Sequence, residues 1–318
     1  MQITTLIPAY KTKYLVELLT GLVTQTHKPT RVIVSDDSPN GEFSQLLLSP
    51  GMALAMRKLP IEIHVGPRAG AYENFKHLVR LWGGSTDFAH LLLDDDVIYP
   101  DFYMRHMMAH ATGRYPGSIS ARWCANERGQ PVEGMPIPKA VWFSNDRTLL
   151  LDATVLFSTT LPECQNWLGE FSNCVMRKEM AELLFKPDFG GVSYAGLWDL
   201  GAFLAASLIG PIPYVQDRLG AFRAGGEGHS AQMMGKHMKA AHLGYGALAL
   251  GASRIGRLGV DQTRQAYAGL HAALASRYAE EADVAPFVDI MRRLSEGDAT
   301  AEEDFLRHWN VFLNSHKF

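Results

Sequence analysis

Residues 90–103 read "HLLLDDDVIYPDFY", an apolar run followed by three successive carboxylates and a turn. The apolar run predicts a buried strand, because a short apolar segment bounded by turn signals is typical of a sheet core. Asp94, Asp95 and Asp96 would follow its carboxyl end, and Pro100 would begin a helix. Three adjacent carboxylates repel one another unless a cation lies among them. In an α/β protein this edge suits a hard cation and phosphates, with a solvated acidic loop as the alternative.

The composition excludes several classes of protein. With 318 residues, 47% of them hydrophobic and 20% charged, the chain can bury a large core. A net charge of −3 provides no basic field for generic nucleic-acid binding. The three cysteines lack metal-ligand spacing, which favours reduced thiols. No apolar run is long enough for a transmembrane segment and no signal peptide is evident, so we expect a cytoplasmic protein, free or peripheral at the inner face of the membrane.

Strands and helices alternate through the first hundred residues. Apolar β-rich segments predict strands, and apolar residues at helical spacing predict the helices between them. Such alternation implies right-handed crossovers and a mainly parallel central sheet with flanking helices. The predicted strands are residues 2–8, 31–35, 61–65 and 88–93, and the predicted helices are "KYLVELLTGLVTQT", "EFSQLLLSPGMALAM" and "AYENFKHLVRLW".

The pattern changes from about residue 115. "SISARW", "AVWFS" and "LLLDATVLFS" predict further strands, "GLWDLGAFLAASLIG" a helix and "PIPYVQDRLGAF" a returning strand. After about residue 232 the chain is mostly helical. These patterns predict a catalytic domain at residues 1–250 and a C-terminal helical region at 251–318.

The parallel sheet would gather polar residues at one edge, because the strands' carboxyl ends meet there. The carboxylates would bind a metal, an arginine would contact phosphate and a tyrosine would face a base. Alternation along an extended "LLLDDDV" would place Asp94 and Asp96 on one side and turn Asp95 away. The residues gathered are Pro8, Tyr10, Asp36, Asp37, Arg68, Asp94, Asp95 and Asp96.

Four segments together resemble the inverting glycosyltransferases of family 2, which have the GT-A fold. "TLIPAYK" is similar to the family's opening strand, and "VIVSDDSP" to the segment whose aspartate meets the nucleobase. "LLLDDDV" resembles the Asp-x-Asp motif that binds metal and the donor diphosphate. "LWDLGAFL" lies where the family commonly has the catalytic base. The resemblance covers roughly residues 2–230.

The resemblance implies transfer of a sugar from a nucleoside-diphosphate donor, UDP- or dTDP-linked, to a hydroxyl of a glycan, protein or lipid-linked acceptor. Mn²⁺ or Mg²⁺ would assist. Asp96 would contact the metal directly, Asp94 the metal through water or the ribose, and Asp95 the donor site or its own loop. Either Asp36 or Asp37 would bind the base, and Asp199 would be the catalytic base.

The chain departs from the family's pattern at several positions. Lys11 stands where the family usually has asparagine, and Trp198 precedes Asp199 where an acidic residue is common. In "FRAGGEGHSAQ" Arg223 is kept as a donor-binding candidate, but the histidine expected two residues later is a glycine. His229 would then bind metal or diphosphate, unless the loop has lost that role.

Other functions remain possible. Asp199 could simply cap a helix, and Asp36 and Asp37 could form a turn. A receiver-type signalling domain would carry its aspartate pair after the first strand, whereas here the pair follows the second. A nucleotidyltransferase would show a glycine-rich loop in place of "PAYKTKY", and a glycosidase would need neither nucleotide pocket nor metal. A further alternative is a non-catalytic relic, that is, a protein that has kept this fold and binds nucleotide or carbohydrate but has lost the activity. Only a measurement of turnover would distinguish it from the enzyme.

Overall fold

The computed structural model describes residues 1–142, 146–223 and 232–318. The chain forms two compact units. The sheet unit comprises residues 1–151, 168–185 and 209–224, and the helical unit comprises residues 152–167, 186–208 and 225–318. The predicted His229 site lies outside the described residues.

The first half of the sheet unit is the predicted parallel sheet. Four strands run in the spatial order β3-β2-β1-β4, all parallel, and helices connect them. β1 is buried along its whole length, as its apolar sequence predicted. The elements are β1 (Ile3–Ala9), α1 (Leu15–Val23), β2 (Arg31–Asp36), α2 (Glu42–Leu47), α3 (Ala53–Lys58), β3 (Ile61–Val65), α4 (Ala71–Trp82) and β4 (Phe88–Leu91).

Helix α4 shows how local sequence sets these bounds. Leu78, Val79 and Trp82 recur at helical spacing and are buried on one face. Gly83 ends the helix with φ +58°, and its N–H donates to the Val79 carbonyl at 2.9 Å. This left-handed position favours glycine because a side chain there would be strained.

The second half of the sheet is mixed. Beyond β4 the order is β9-β6-β12-β5, with β9 antiparallel to both β4 and β6, and β6 parallel to β12. On the side away from β1, the neighbour of β4 is therefore a strand that comes about eighty residues later in the chain. These elements are β5 (Val97–Ile98), α5 (Phe102–His110), β6 (Gly117–Ala125), β7 (Pro131–Gly134), α6 (Lys139–Trp142), β8 (Thr148–Leu151), β9 (Cys174–Met176), α8 (Lys178–Ala181) and β12 (Ile212–Arg223).

Three sequence predictions were wrong in this half. "AVWFS" was expected as a strand, but its first residues end helix α6. "LLLDATVLFS" divides into strand β8 and helix α7 (Ala153–Thr160), because Asp152 caps the helix by accepting from the Val155 N–H at 2.9 Å. Pro100 precedes α5 by two residues instead of beginning it.

The helical unit contains the C-terminal helices and the segment of "GLWDLGAFLAASLIG". Trp309 is buried and donates its indole N–H to the Ser193 carbonyl at 2.9 Å, which fixes α13 to the β10–β11 hairpin. The predicted division after residue 250 falls inside α10 and stays a prediction. The elements are α7, β10 (Asp188–Phe189), β11 (Val192–Ser193), α9 (Trp198–Ile209), α10 (Lys236–Arg254), α11 (Val260–Tyr278), α12 (Ala285–Glu296) and α13 (Thr300–His316).

The helices of the described residues differ in length and apolar character. None of them combines the length and the apolar character that a membrane span requires.

Candidate donor site

The loops after the four parallel strands meet at one edge of the sheet unit. The Asp37 N–H donates to the Ala9 carbonyl at 2.8 Å, which joins the ends of β2 and β1. The Tyr10 N–H donates to Asp94 Oδ2 at 2.6 Å, which joins the ends of β1 and β4. The Arg68 N–H donates to the Asp37 carboxylate and brings in the loop after β3. The alternation of strands and helices along the chain predicted that these loops would meet at one edge of the sheet, and the structure shows that they do.

Asp94 is held by the backbone that follows β1. Its Oδ2 accepts from the N–H groups of Tyr10 and Lys11, each at 2.6 Å, and the residue is only 6% exposed. Burial, followed by the charge of Asp95, raises the pKa of Asp94 to about 7, although the two backbone hydrogen bonds favour the ionised form. Asp94 therefore ties the acidic segment to the end of β1.

The segment "LLLDDDV" is not an extended strand throughout. The prediction that its side chains alternate between two sides assumed such a strand, and that assumption was wrong. β4 ends at Leu91, and Asp94 and Asp95 form a turn. Asp95 still differs from its neighbours: its side chain is 22% exposed and pairs with the ammonium of Lys11. Contacts with other segments accompany the burial of these two residues: Asp94 bonds to the backbone after β1, and Asp96 bonds to Arg223 at the end of β12.

Asp96 is the most deeply buried of the three aspartates. It is 4% exposed, and its Oδ1 accepts from the Arg223 N–H at 3.3 Å. Its Oδ2 is buried and has no hydrogen-bond partner among the described residues, although the nearby Ser172 hydroxyl favours the ionised carboxylate. Burial, and then the charges of Asp95 and Glu170, raise the pKa of Asp96 well above its ordinary value. An ionised oxygen in this position would be stabilised by a cation.

The carboxylates suit a divalent cation that is shared with a bound diphosphate. Within the described ranges, no three His, Cys, Asp or Glu side chains form a complete metal site. Mg²⁺ is usually bound by one or two carboxylates together with substrate phosphates and water, so a complete protein cage is not required. The unpartnered Asp96 Oδ2 is the protein ligand that best fits this arrangement.

The two aspartates after β2 have different environments. Asp36 is buried and accepts from the N–H groups of Ser38 and Ser44 at 3.0 and 2.8 Å. Burial alone would raise the pKa of Asp36, but these hydrogen bonds and the Ser38 hydroxyl lower it below its ordinary value. Asp37 is half-buried and accepts from the Arg68 N–H. Asp36 therefore anchors the start of α2, whereas Asp37 remains accessible.

The other residues predicted along this edge differ in exposure. Pro8 is buried inside β1. Tyr10 is 57% exposed at the strand's end, so its ring is accessible to a ligand. Arg68 is exposed, with φ +54°, on the loop that contacts Asp37. A Cβ at Gly66 would lie 2.5 Å from Asp37 Oδ1 and 3.0 Å from the Asp36 carbonyl oxygen, so this close approach of the two loops favours glycine.

Arg223 fixes the acidic turn from the opposite side. Its guanidinium donates to the carbonyls of Asp95 and Glu127, at 2.9 and 2.5 Å, and to the carboxylate of Glu17. It also lies 4.0 Å from the centre of the Tyr14 ring, and its side chain is almost fully buried. In this arrangement Arg223 stabilises the site, and a direct diphosphate contact would require it to exchange these bonds.

Sequence reasoning missed a group of polar residues beside Asp96. Arg122 pairs with Glu170 through two contacts of 2.6 and 2.7 Å. The Ser172 hydroxyl accepts from the Leu93 N–H at 3.0 Å. No local motif marks these residues, because only the insertion of β9 beside β4 brings them here. A small cavity is lined by Asp96, Val97, Arg122, Glu170, Ser172, Asn173, Gly220, Ala221 and Phe222.

A buried chain of hydrogen bonds supports Ser172. His90 Nε2 lies 2.9 Å from the Ser172 carbonyl and therefore carries the proton, while Nδ1 accepts from the Tyr103 hydroxyl at 2.9 Å. The Tyr103 hydroxyl in turn bonds to that of Thr5 at 2.6 Å. Burial lowers the pKa of His90 to about 4, so the ring is neutral at pH 7.

The predicted base belongs to the helical unit. Asp199 is half-buried in the first turn of α9. The positive end of the helix dipole stabilises an ionised carboxylate there. Its role as a base stays a prediction, as does its alternative role as a cap.

A cation bound at the acidic turn would compete with protons, because burial raises the pKa of Asp94 to about 7 and the pKa of Asp96 well above its ordinary value. Below these pKa values a cation must displace a proton from each carboxyl group, so Mn²⁺ affinity should rise with pH, by up to about tenfold per pH unit for each proton displaced. Calorimetric titration of Mn²⁺ between pH 5.5 and 8 would measure it. Asp94→Asn should make the profile less steep, because one of the two titrating carboxyl groups is removed, and a wild-type affinity that does not change with pH would contradict the assignment.

Comparison with solved structures identifies the fold. The S. aureus TarS fragment 1–349 matches with a TM-score of 0.54 at 12% identity, over 100% of this chain and 91% of that one. Its complex with UDP-GlcNAc matches with the same TM-score and identity, over 92% of that chain, and its complex with UDP matches at 13% identity. The sequence matches none of the protein-family profiles or curated proteins compared with it. The α/β fold, with its mostly parallel sheet and C-terminal helices, is therefore of the GT-A type.

Proposed function

We propose that this protein is a metal-dependent inverting glycosyltransferase that moves a sugar from a nucleoside-diphosphate donor to a hydroxyl of a glycan, protein or lipid-linked acceptor. The observation that carries the proposal is the buried, unpartnered Oδ2 of Asp96 in an acidic turn after β4 of a GT-A fold. In α/β sheets ligands bind at this carboxyl edge. A nucleoside diphosphate with its cation would complete the coordination that Asp96 leaves open.

The protein would stabilise the departing diphosphate and place the donor. A divalent cation, Mn²⁺ or Mg²⁺, when bound at Asp96 would neutralise charge that develops on the leaving oxygens. Asp94 holds the turn to β1, and Arg223 holds it from the other side. Ser172 and the neutral His90 support the neighbouring backbone. These contacts form before the donor binds, which reduces the reorganisation that transfer would require.

The acceptor hydroxyl must lose its proton as it attacks the anomeric carbon. We assign this role to Asp199, on its sequence context and its place in the first turn of α9. The carboxylate would receive the proton as the new bond to the sugar forms, while the bond between the sugar and the diphosphate breaks.

We propose Asp37, rather than Asp36, as the residue that binds the nucleobase. Both Asp36 oxygens already accept backbone N–H groups, whereas Asp37 is half-buried beside the exposed loop of Arg68. A carboxylate accepts well from the imide N–H of uracil or thymine, which adenine lacks. The complexes of TarS with UDP and UDP-GlcNAc support a uridine donor for a protein of this fold.

Substituting the two aspartates separately tests that assignment. Asp37→Asn should reduce the preference for UDP over ADP by about tenfold or more, since it removes a charged acceptor, and should leave the melting temperature nearly unchanged. Asp36→Asn should instead lower the melting temperature, because it weakens the anchor of α2. Calorimetry with both nucleotides and thermal unfolding measure these effects. Equal base preference in wild type and Asp37→Asn would exclude the contact.

A thermal-shift screen tests the function as a whole. UDP, dTDP, GDP and ADP, each with and without Mn²⁺, would be added to the full chain. A ligand that binds only the native state raises the melting temperature. A shift with UDP or dTDP that is much larger with Mn²⁺ than without it is expected, and no shift with any nucleotide would contradict the proposal. Tight binding with no turnover of any nucleotide sugar would indicate a non-catalytic relic.

A further inference from the structure

Lys11 supplies a cation to the acidic turn. Its ammonium pairs with the Asp95 carboxylate, and its backbone N–H donates to Asp94 Oδ2 at 2.6 Å. One residue therefore contacts two of the three aspartates through two different groups. Its side chain is 29% exposed, so the ammonium lies at the surface of the site and is accessible to solvent.

Arg223 is also a cation near this turn, but it makes more hydrogen bonds than Lys11 and is more deeply buried. The Arg223 guanidinium donates to two carbonyls and to Glu17, and is almost fully buried. The ammonium of Lys11 has three N–H groups and, among the described residues, Asp95 as its hydrogen-bond acceptor. Lys11 therefore has donors available for an incoming anion at the surface of the site, whereas the guanidinium of Arg223 is almost fully buried.

A second observation indicates that a ligand belongs here. Asp96 is 4% exposed, and its buried Oδ2 has no partner among the described residues. A divalent cation at that oxygen and a diphosphate bound to it would lie beside the turn that Lys11 contacts. The ammonium would attract the diphosphate and repel the divalent cation.

We propose that Lys11 is a diphosphate-binding residue whose ammonium neutralises Asp95 until the donor binds and then donates to the diphosphate oxygens. The inference rests on the proposed function and adds a residue to it. In its resting role Lys11 limits the affinity of the site for a divalent cation alone. In its bound role it supplies part of the charge that would otherwise come only from the metal.

Removal of the ammonium should change two affinities in opposite directions. Lys11→Met should bind Mn²⁺ alone about tenfold more tightly, since a nearby positive charge is lost. It should bind UDP in the presence of a chelator about tenfold more weakly, since a donor to the diphosphate is lost. A lysine that merely holds the turn in shape would weaken both, so the opposite signs separate the two roles.

The matched control is Lys13→Met. Lys13 is two residues away, is 62% exposed at its side chain and pairs with Glu127 on the surface, so the same change of net charge is made outside the acidic turn. Lys11→Arg should keep Mn²⁺ affinity near that of wild type, because it keeps the charge. Circular dichroism would confirm that each variant is folded, and Lys11→Gln would replace Lys11→Met if the latter is not.

Calorimetric titration of Mn²⁺ alone, and of UDP with chelator, into wild type and these variants decides the matter. Opposite shifts in Lys11→Met, with Lys13→Met like wild type, are expected. Loss of both affinities, no change in either, or the same changes in Lys13→Met would overturn the role of Lys11 and leave the proposed function standing. A wild type that binds neither Mn²⁺ nor UDP would overturn both.

Discussion

Replacing Asp96 by asparagine is expected to weaken metal-dependent binding of UDP by about a hundredfold or more. The variant loses the only carboxylate oxygen of the acidic turn that is both buried and unpartnered among the described residues, which is the position best suited to a divalent cation. The melting temperature of the ligand-free protein should not fall, because asparagine removes a buried charge whose ionisation is already disfavoured. Calorimetry with UDP and Mn²⁺, together with thermal unfolding, measures both effects.

Asp95→Asn is the matched comparison. The Asp95 side chain is more exposed and already has the Lys11 ammonium as a partner, so its loss should reduce metal-dependent binding much less. Equal losses at the two positions would show that Asp96 has no special part in binding the cation. A variant Asp96→Asn that unfolds at lower temperature would mean that the carboxylate stabilises the fold instead.

Asp199→Asn is expected to reduce sugar transfer by about a hundredfold or more while UDP and Mn²⁺ bind nearly as in wild type. Asparagine keeps the size of the side chain and its ability to cap a helix, but it cannot receive a proton. The effect should therefore appear in turnover and not in affinity or stability. Steady-state transfer assays combined with nucleotide calorimetry on this variant separate the three quantities.

Asp261→Asn controls for helix position. Asp261 lies in the first turn of α11, is exposed, and loses the same charge when substituted. The turnover of the Asp261→Asn variant should match that of wild type. If Asp199→Asn also kept full turnover, Asp199 would be a helix cap and the base would have to be sought elsewhere.

Local sequence patterns predicted the elements whose determinants are local. The apolar runs of β1 and β2, the spacing of Leu78, Val79 and Trp82, and the terminating Gly83 are each visible over a few residues, and the structure confirms them. The error at "LLLDATVLFS" arose because its apolar residues fit either structure. The capping role of Asp152 was the signal that could have identified the helix.

The rest of the candidate site depends on contacts that are distant in sequence. Alternation along "LLLDDDV" assumed a strand where Asp94 and Asp95 form a turn. Glu170 and Ser172 reach Asp96 only because β9 pairs with β4, and sheet order is not encoded in any one segment. Glu17 meets Arg223 across about two hundred residues of chain. Patterns in the sequence located the edge of the sheet, whereas the partners of each carboxylate required the fold.

The most direct test of the central claim is the metal-dependent release of nucleoside diphosphate from a nucleotide sugar. UDP- and dTDP-sugars would be incubated with the wild-type chain and with Asp96→Asn, in Mn²⁺ and in chelator, and released UDP or dTDP measured over time. We expect slow release by wild type in Mn²⁺ for at least one donor, with little in chelator or with Asp96→Asn. Release that is equal in all four conditions, or none from any donor in Mn²⁺, would contradict the claim that this protein is a metal-dependent glycosyltransferase.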